Sequence, residues 1–313
     1  MTLRAGQEAV VRVAVATLWA GPEAVRPVDE PALAPRTTDI PAWISAMTAD
    51  QQVGDCVLSQ LLLGERVLIE EIRPDGWARL IATEQPAAKL DPRGYPGWLP
   101  VEQLSPATTG PAGVAQVVVD ATVTALFTAP DGDPVLPGVI LGTRLTPAGP
   151  ARHGWSPVYA PGHHDPLWLP TDHLAPVPNR PPNAVEVLAV ANRLLDVIYL
   201  WGGVSAYGID CSGLVHLAWR RFGVRLPRDA DDQANATTPL PLGAERPGDL
   251  YFFARPGRNI HHIGIVTAEP GYGDDNRRML HASYTQRRVL EESLTEDRRA
   301  TLVGVHRVRT CAD

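Results

Sequence analysis

Cys211 stands between a polar turn, Tyr207-Gly208-Ile209-Asp210, and an apolar stripe of Leu214, Val215, Ala218, Trp219 and Phe222 at helical spacing. That spacing predicts a helix beginning near Ser212, with Asp210 or Cys211 as its N-cap. A thiol there lies where free helix amides point. The positive end of the helix dipole is expected to lower its pKa and make it nucleophilic. A sulfur nucleophile needs a base, and two histidines follow downstream. Residues Ile260-His261-His262-Ile263-Gly264-Ile265-Val266 alternate as a strand does, and Met279-Leu280-His281-Ala282-Ser283 follows a turn-forming stretch of Gly271, Gly273, Asp274, Asp275 and Asn276. A hairpin of these segments sets His262 and His281 roughly opposite each other on antiparallel strands. A cysteine, a histidine and a third polar group that orients it are the parts of thiol-based acyl transfer.

Five motifs occur in order: Tyr199-Leu200-Trp201-Gly202-Gly203, Asp210-Cys211-Ser212-Gly213-Leu214-Val215, Pro247-Gly248-Asp249-Leu250-Tyr251-Phe252-Phe253, His262-Ile263-Gly264-Ile265 and His281-Ala282-Ser283. Together they resemble the NlpC-type, papain-like peptidases of bacterial cell-wall peptides, over about residues 183–310. The resemblance implies Cys211 as nucleophile, His262 as base and His281 as the orienting third residue. His261, one position earlier on an alternating strand, should face the other way. Gly264 shares the face of His262 and leaves room beside the imidazole. The Cys211 backbone N–H and the Tyr199 hydroxyl are candidate oxyanion donors, the latter supported by the resemblance. Trp201, Asp210 and Ser212 belong to the same motifs and are expected to contact substrate. His216 is off the apolar stripe and reads as solvated.

The elements that must position these residues change character along the chain. From Asn183 onward a helix comes first, carrying Leu188, Ala191 and Leu195, with Asn183 and Glu186 as a capping box. Strands follow at Leu250 to Phe253, Ile263 to Thr267, Met279 to Ala282, Val289 to Glu292 and Leu302 to Val308. This is an α+β order, and by resemblance a papain-like catalytic domain over residues 183–313. Before it, Pro176 to Pro182 holds four prolines and reads as a stiff linker, 177–182.

Residues 1–176 contain a degenerate repeat. Gly64 to Gly76 and Gly142 to Gly154 both span 12 residues, and Trp98 to Leu104 and Trp168 to Leu174 both span 6. Short strands broken by Gly-Trp and Leu-Pro turns read as two small all-β barrels resembling bacterial SH3-type modules, at 1–106 (with an N-terminal extension) and 112–176. The first copy carries eight extra residues within Ala82 to Gly97, a polar, Gly/Pro-rich insertion expected to lean over the catalytic domain. Residues 20–50 are rich in proline; Trp43, Ile44 and Met47 suggest one short helix.

The chain has 313 residues, 44% of them apolar, enough for several cores. A formal charge of -7 argues against nucleic acid or an anionic membrane as partner. Three separated cysteines offer neither a disulfide framework nor a Cys-x-x-Cys metal site. His163-His164-Asp165 on a barrel loop cannot converge on one ion. Neither metal nor cofactor is expected. Ala9 to Ala20, interrupted by Arg12, reads as strand and not as an export signal, so a cytoplasmic protein is expected.

Specificity points to Pro227-Arg228-Asp229-Ala230-Asp231-Asp232-Gln233. Within the resembling family, a recycling subgroup with two SH3-type modules carries Asp after the arginine, as here. An acidic residue beside the cleft suits a peptide's N-terminal ammonium. By resemblance, Tyr95 and Glu65 from the first module would complete this amine pocket. Ala230 stands where a hydroxyl is frequent. The resulting expectation is a cysteine endopeptidase cutting the γ-D-Glu–diamino acid bond of murein peptides with a free N-terminal L-Ala. The alternatives are a secreted autolysin that binds wall through its modules, or a non-catalytic wall-peptide binding protein.

Overall fold

The computed structural model describes residues 3–107, 115–270 and 277–309. The turn expected at Gly271 to Asn276, the expected start of the second module at 112, and Cys311 lie outside them.

The stretch from Ala9 to Ala20 contributes to two strands, β1 (Glu8–Val11) and β2 (Val15–Trp19). They join β3 (Val57–Leu62), β4 (Arg66–Ile72), β5 (Trp77–Ala82), β6 (Tyr95–Pro100) and β7 (Leu104–Pro106) in one sheet. Its strand order is β3-β2-β6-β5-β4-β1-β7. A second sheet uses β8 (Val117–Val119), β9 (Val123–Phe127), β10 (Pro134–Ile140), β11 (Arg144–Pro147), β12 (Trp155–Tyr159), β13 (Leu167–Pro170) and β14 (Leu174–Pro176). Its order is β10-β9-β13-β12-β11-β8-β14, the first order repeated strand for strand. The repeat in sequence is therefore a repeat in topology. Its turn glycines match too: Gly64 and Gly142 have φ of +81° and +84°, a region that favours a residue without Cβ.

Between β2 and β3 the chain forms α1 (Glu30–Leu33) and α2 (Ile40–Ala46), the latter capped by Asp39, whose side chain accepts from Ala42 N. Trp43 is buried against Trp19, ring centroids 5.7 Å apart, and its indole N–H donates to buried Asp29 at 2.7 Å. Truncating such a tryptophan to alanine costs about 3–5 kcal/mol.

After the proline stretch comes α3 (Ala184–Asn192), with both bonds of the Asn183–Glu186 capping box formed. A short ribbon, β15 (Val204–Ser205) and β16 (Gly208–Ile209), leads into α4 (Cys211–Arg220), and α5 (Ala230–Asn235) follows. The C-terminal sheet contains β17 (Thr238–Leu240), β18 (Leu250–Ala254), β19 (Ile260–Val266), β20 (Arg278–Ser283), β21 (Arg288–Ser293) and β22 (Leu302–Arg307), ordered β17-β22-β18-β19-β20-β21. Helix α6 (Glu296–Thr301) precedes the last strand.

All ten residues of α4 are buried, where an apolar stripe alone predicts one solvated face. The C-terminal sheet covers one side, and the hairpin of the second sheet covers another: the Arg220 Nε–H donates to Gly142 O, and a Cβ at Gly142 would lie 2.9 Å from Leu217. For this reason His216 is buried, not solvated; its ring bonds to Leu226 O at 2.9 Å, and burial holds its pKa down at about 3. One apolar core runs from Trp19, Trp43 and Leu62 through Ile140 to Leu214, Phe252 and Ile263. The β-rich N-terminal region and the C-terminal region thus share a core.

Candidate active site

Asp210 fixes the start of α4. Its Oδ1 accepts from Gly213 N at 2.7 Å, making it the N-cap, and its Oδ2 accepts from Gly202 N at 2.9 Å. Helix and Gly202-Gly203 turn are in direct contact, since a Cβ on Gly213 would lie 2.2 Å from Gly203 O. The buried Arg228 guanidinium donates to both Asp210 oxygens (3.0 and 2.7 Å), to Ser212 Oγ and to Ser59 Oγ of β3. Asp210 and Ser212 thus line the cleft while most of their hydrogen-bonding capacity is used internally. Breaking such a buried pair by removing one partner costs about 3–5 kcal/mol.

Cys211, the first residue of α4, lines a cleft of about 1210 Å³. Its thiol is pushed up to about 12 by burial, with the Asp210 carboxylate adding to the rise; Ile263 N–H, Arg228 and Ser212 N–H act the other way. The direction is opposite to the lowering expected from the helix dipole: desolvation outweighs the groups that stabilise the thiolate.

His262 also lines the cleft, and its pKa is held well below the usual histidine range by burial and by His281. Its Nε2 lies 2.7 Å from His281 Nδ1. Ile265 pairs with Leu280 and Val266 with Met279, so the register, extended, sets His281 opposite Gly264 and diagonal to His262. Bare Gly264 permits this approach, since a Cβ there would meet His281 Cβ at 3.3 Å. His281 Nε2 in turn lies 3.0 Å from Glu292 Oε1. Glu292 is not evident from motif or spacing alone; its signal is the hairpin register, in which His281 faces Leu290 and Glu292 lies two residues beyond on the same face.

His261 does not simply turn away. Phe253 pairs with His262 and Ala254 with Ile260, so His261 is the extra residue of a β-bulge, and it borders the cleft.

Tyr199 and Trp201 line the same cleft, Tyr199 buried edge-on to Tyr284 and Trp201 exposed. The β5–β6 insertion leans over α5 as expected: Pro86 O accepts from Arg228 N, and the Tyr95 hydroxyl donates to Asp229 Oδ2 at 3.3 Å. The insertion also delivers Lys89, unforeseen from sequence, whose ammonium lies 3.1 Å from Asp229 and 2.6 Å from Asp231. Ala230 borders this group. Glu65 is absent from the cleft, correcting the expectation for it. The Gly64 turn tucks it beneath α4, where it accepts from Leu62 N and Gln85 and lies 3.4 Å from the buried Arg220 guanidinium. Asp55, just before β3, also lines the cleft.

Thiol and histidine in one desolvated cleft, with a second histidine and a carboxylate behind the first, are the equipment of a cysteine peptidase. The NlpC/P60 family pattern matches residues 196–306. The γ-D-glutamyl-L-lysine dipeptidyl-peptidase of Bacillus subtilis is 32% identical over 289 residues, 90% of this chain and 92% of that protein. The protein of the same name from Bacillus cereus is 27% identical over 294 residues, 90% and 85% of the two chains. The crystal structure of an NlpC/P60 family protein from Bacillus cereus superposes with a TM-score of 0.84 at 25% identity, covering 96% of this chain and 99% of the other. The chain belongs to the NlpC/P60 family and is a cysteine peptidase.

Proposed function

We propose that this peptidase hydrolyses the bond between γ-D-Glu and a diamino acid in murein peptides that begin with a free L-Ala. The carrying observation is the acidic pair beside the Cys211 cleft, Asp229 and Asp231, which holds an ammonium in the form of Lys89. Two relatives that align over most of their length bear γ-D-glutamyl-L-lysine dipeptidyl-peptidase names, which supports the acyl side of this reading.

In the proposed reaction His262 takes the Cys211 proton as sulfur attacks the γ-carbonyl carbon of D-Glu. The C–N bond to the diamino acid then breaks, and its nitrogen leaves with the proton from the imidazolium. Water, deprotonated by His262, hydrolyses the thioester and restores the thiol. Burial disfavours both thiolate and imidazolium, which favours a proton that moves as attack occurs. His281 and Glu292 hold the His262 ring, while Tyr199 and the Cys211 N–H receive the oxyanion. Trp201, Asp210 and Ser212 border the acyl portion.

Asp229, with Tyr95 beside it, takes the alanine ammonium while Lys89 retires to Asp231. A stem peptide still attached to sugar has its alanine nitrogen in an amide and leaves Asp229 without that counter-ion. This favours released peptides over intact wall, hence a role in recycling, and we place the reaction in the cytoplasm. Of the two N-terminal sheets, read as SH3-type barrels, the first delivers the insertion to a papain-like α+β domain.

Mass spectrometry of L-Ala-γ-D-Glu-diaminopimelate digests tests the reading. We expect L-Ala-γ-D-Glu and free diaminopimelate, with the N-acetylated peptide cut far more slowly. A cut before D-Glu, or equal cleavage of polymeric wall, would count for a different peptidase.

A further inference from the structure

A second group of charges borders the cleft, made by other elements than those that hold Asp229. Arg298 of α6, Arg255 of the β18–β19 turn and the bulged His261 gather there. Arg298 is half-buried, its guanidinium 5.6 Å from the centre of the Phe253 ring, and Phe253 lies 5.6 Å from the His262 ring. Among the described residues it forms no ion pair. Two acidic residues share this part of the cleft. Asp297 precedes Arg298 in the chain, and Glu292, whose charge Arg298 feels, is bound to His281. A guanidinium held on an aromatic ring beside the reacting groups, with its donors unspent on any carboxylate, suits a carboxylate ligand.

We propose that Arg298, assisted by Arg255, binds a carboxylate of the residue that leaves, and so selects diamino acids that carry one there. This rests on the proposed function. If the alanine ammonium docks at Asp229 and the γ-carbonyl at Cys211, the remaining charged group faces the leaving residue. A diaminopimelate at that position offers two carboxylates, one on the α-carbon and one at the end of its side chain. The same guanidinium chemistry serves either.

The test compares L-Ala-γ-D-Glu-diaminopimelate with three forms of it, amidated at the α-carboxylate of the third residue, at its side-chain carboxylate, or at the α-carboxylate of D-Glu. With the native enzyme, one of the two third-residue amides should lower kcat/KM by about tenfold to a hundredfold, the worth of a charged hydrogen bond. Whichever does so identifies the source. R298Q should bring the acid-to-amide ratio close to one, and R298K should keep part of it. Indifference to both third-residue amides, a loss confined to the D-Glu amide, or an equal fall of all four substrates in R298Q would overturn the assignment while leaving the proposed function standing. A native enzyme that cuts none of the four would overturn both.

Discussion

His262 Nε2 and His281 Nδ1 face each other at 2.7 Å, and the far nitrogen of His281 faces Glu292. A carboxylate only accepts, so His281 carries its proton on Nε2 and offers a lone pair at Nδ1. His262 then donates from Nε2, leaving its Nδ1 as the unprotonated atom. In the proposed reaction the two-histidine relay thus leaves His262 Nδ1 as the nitrogen to act as base.

His262→Ala should lower kcat by about a hundredfold to ten-thousandfold, the usual worth of a general base. His261→Ala should leave kcat on the simple tripeptide close to native. Glu292→Gln should cost roughly tenfold, as loss of a charged hydrogen bond does. Steady-state kinetics of the three variants decide the matter, and a dead His261→Ala beside an active His262→Ala would reverse the assignment.

Alkylation of Cys211 by iodoacetamide should accelerate with pH through and beyond neutrality, because burial holds the thiol up towards about 12. Cys56, also buried and raised, lies outside the cleft lining and should react more slowly. A rate plateau below pH 7 in the substrate-free enzyme would demonstrate a standing thiolate–imidazolium pair instead.

Stability should fall as pH drops from about 6.5, the histidine value in an unfolded chain, towards 3. His216, His262 and His281 are neutral in the fold with depressed pKa values, so the unfolded chain binds more protons in that window. Their stabilisation is complete above about pH 6.5 and is lost on acidification. Urea unfolding at several pH values measures the slope, and His216→Asn should reduce it; a flat profile over this range would contradict the burial of these rings.

Much of this site is legible in local sequence because the residues that build it are local. Asp210 caps the helix that Cys211 begins, and strand alternation with a turn-rich gap brings His262 to His281. The repeat spacing of residues 64–104 and 142–174 likewise follows from equal strands and turns. What sequence does not carry is long-range burial. Nothing around Glu65 announces that Arg220, 155 positions later in the chain, will claim its carboxylate under α4. The burial of α4 on all sides, which inverts the expected shift of Cys211 and buries His216, depends on a second sheet packing against a helix far along the chain. The bulge at His261 breaks the strand alternation that would turn its side chain outward.

Lys89→Met should lower KM for the free-amine peptide, because the substrate ammonium no longer competes with an ammonium 3.1 Å from Asp229. A change of a few-fold matches the small net worth of a partly exposed ion pair. A raised KM with unchanged kcat would show instead that Lys89 contacts substrate directly.

A double-mutant cycle measures the contact between Asp229 and the substrate's N-terminal ammonium. The kcat/KM of native enzyme and Asp229→Asn is compared on free and N-acetylated L-Ala-γ-D-Glu-diaminopimelate. Either change alone should cost roughly tenfold to a hundredfold, and the second should add little once the first is made, since both remove the same charged contact. Fully multiplicative losses, or an Asp229→Asn enzyme that still prefers the free amine as strongly as the native one, would show that Asp229 does not bind the ammonium.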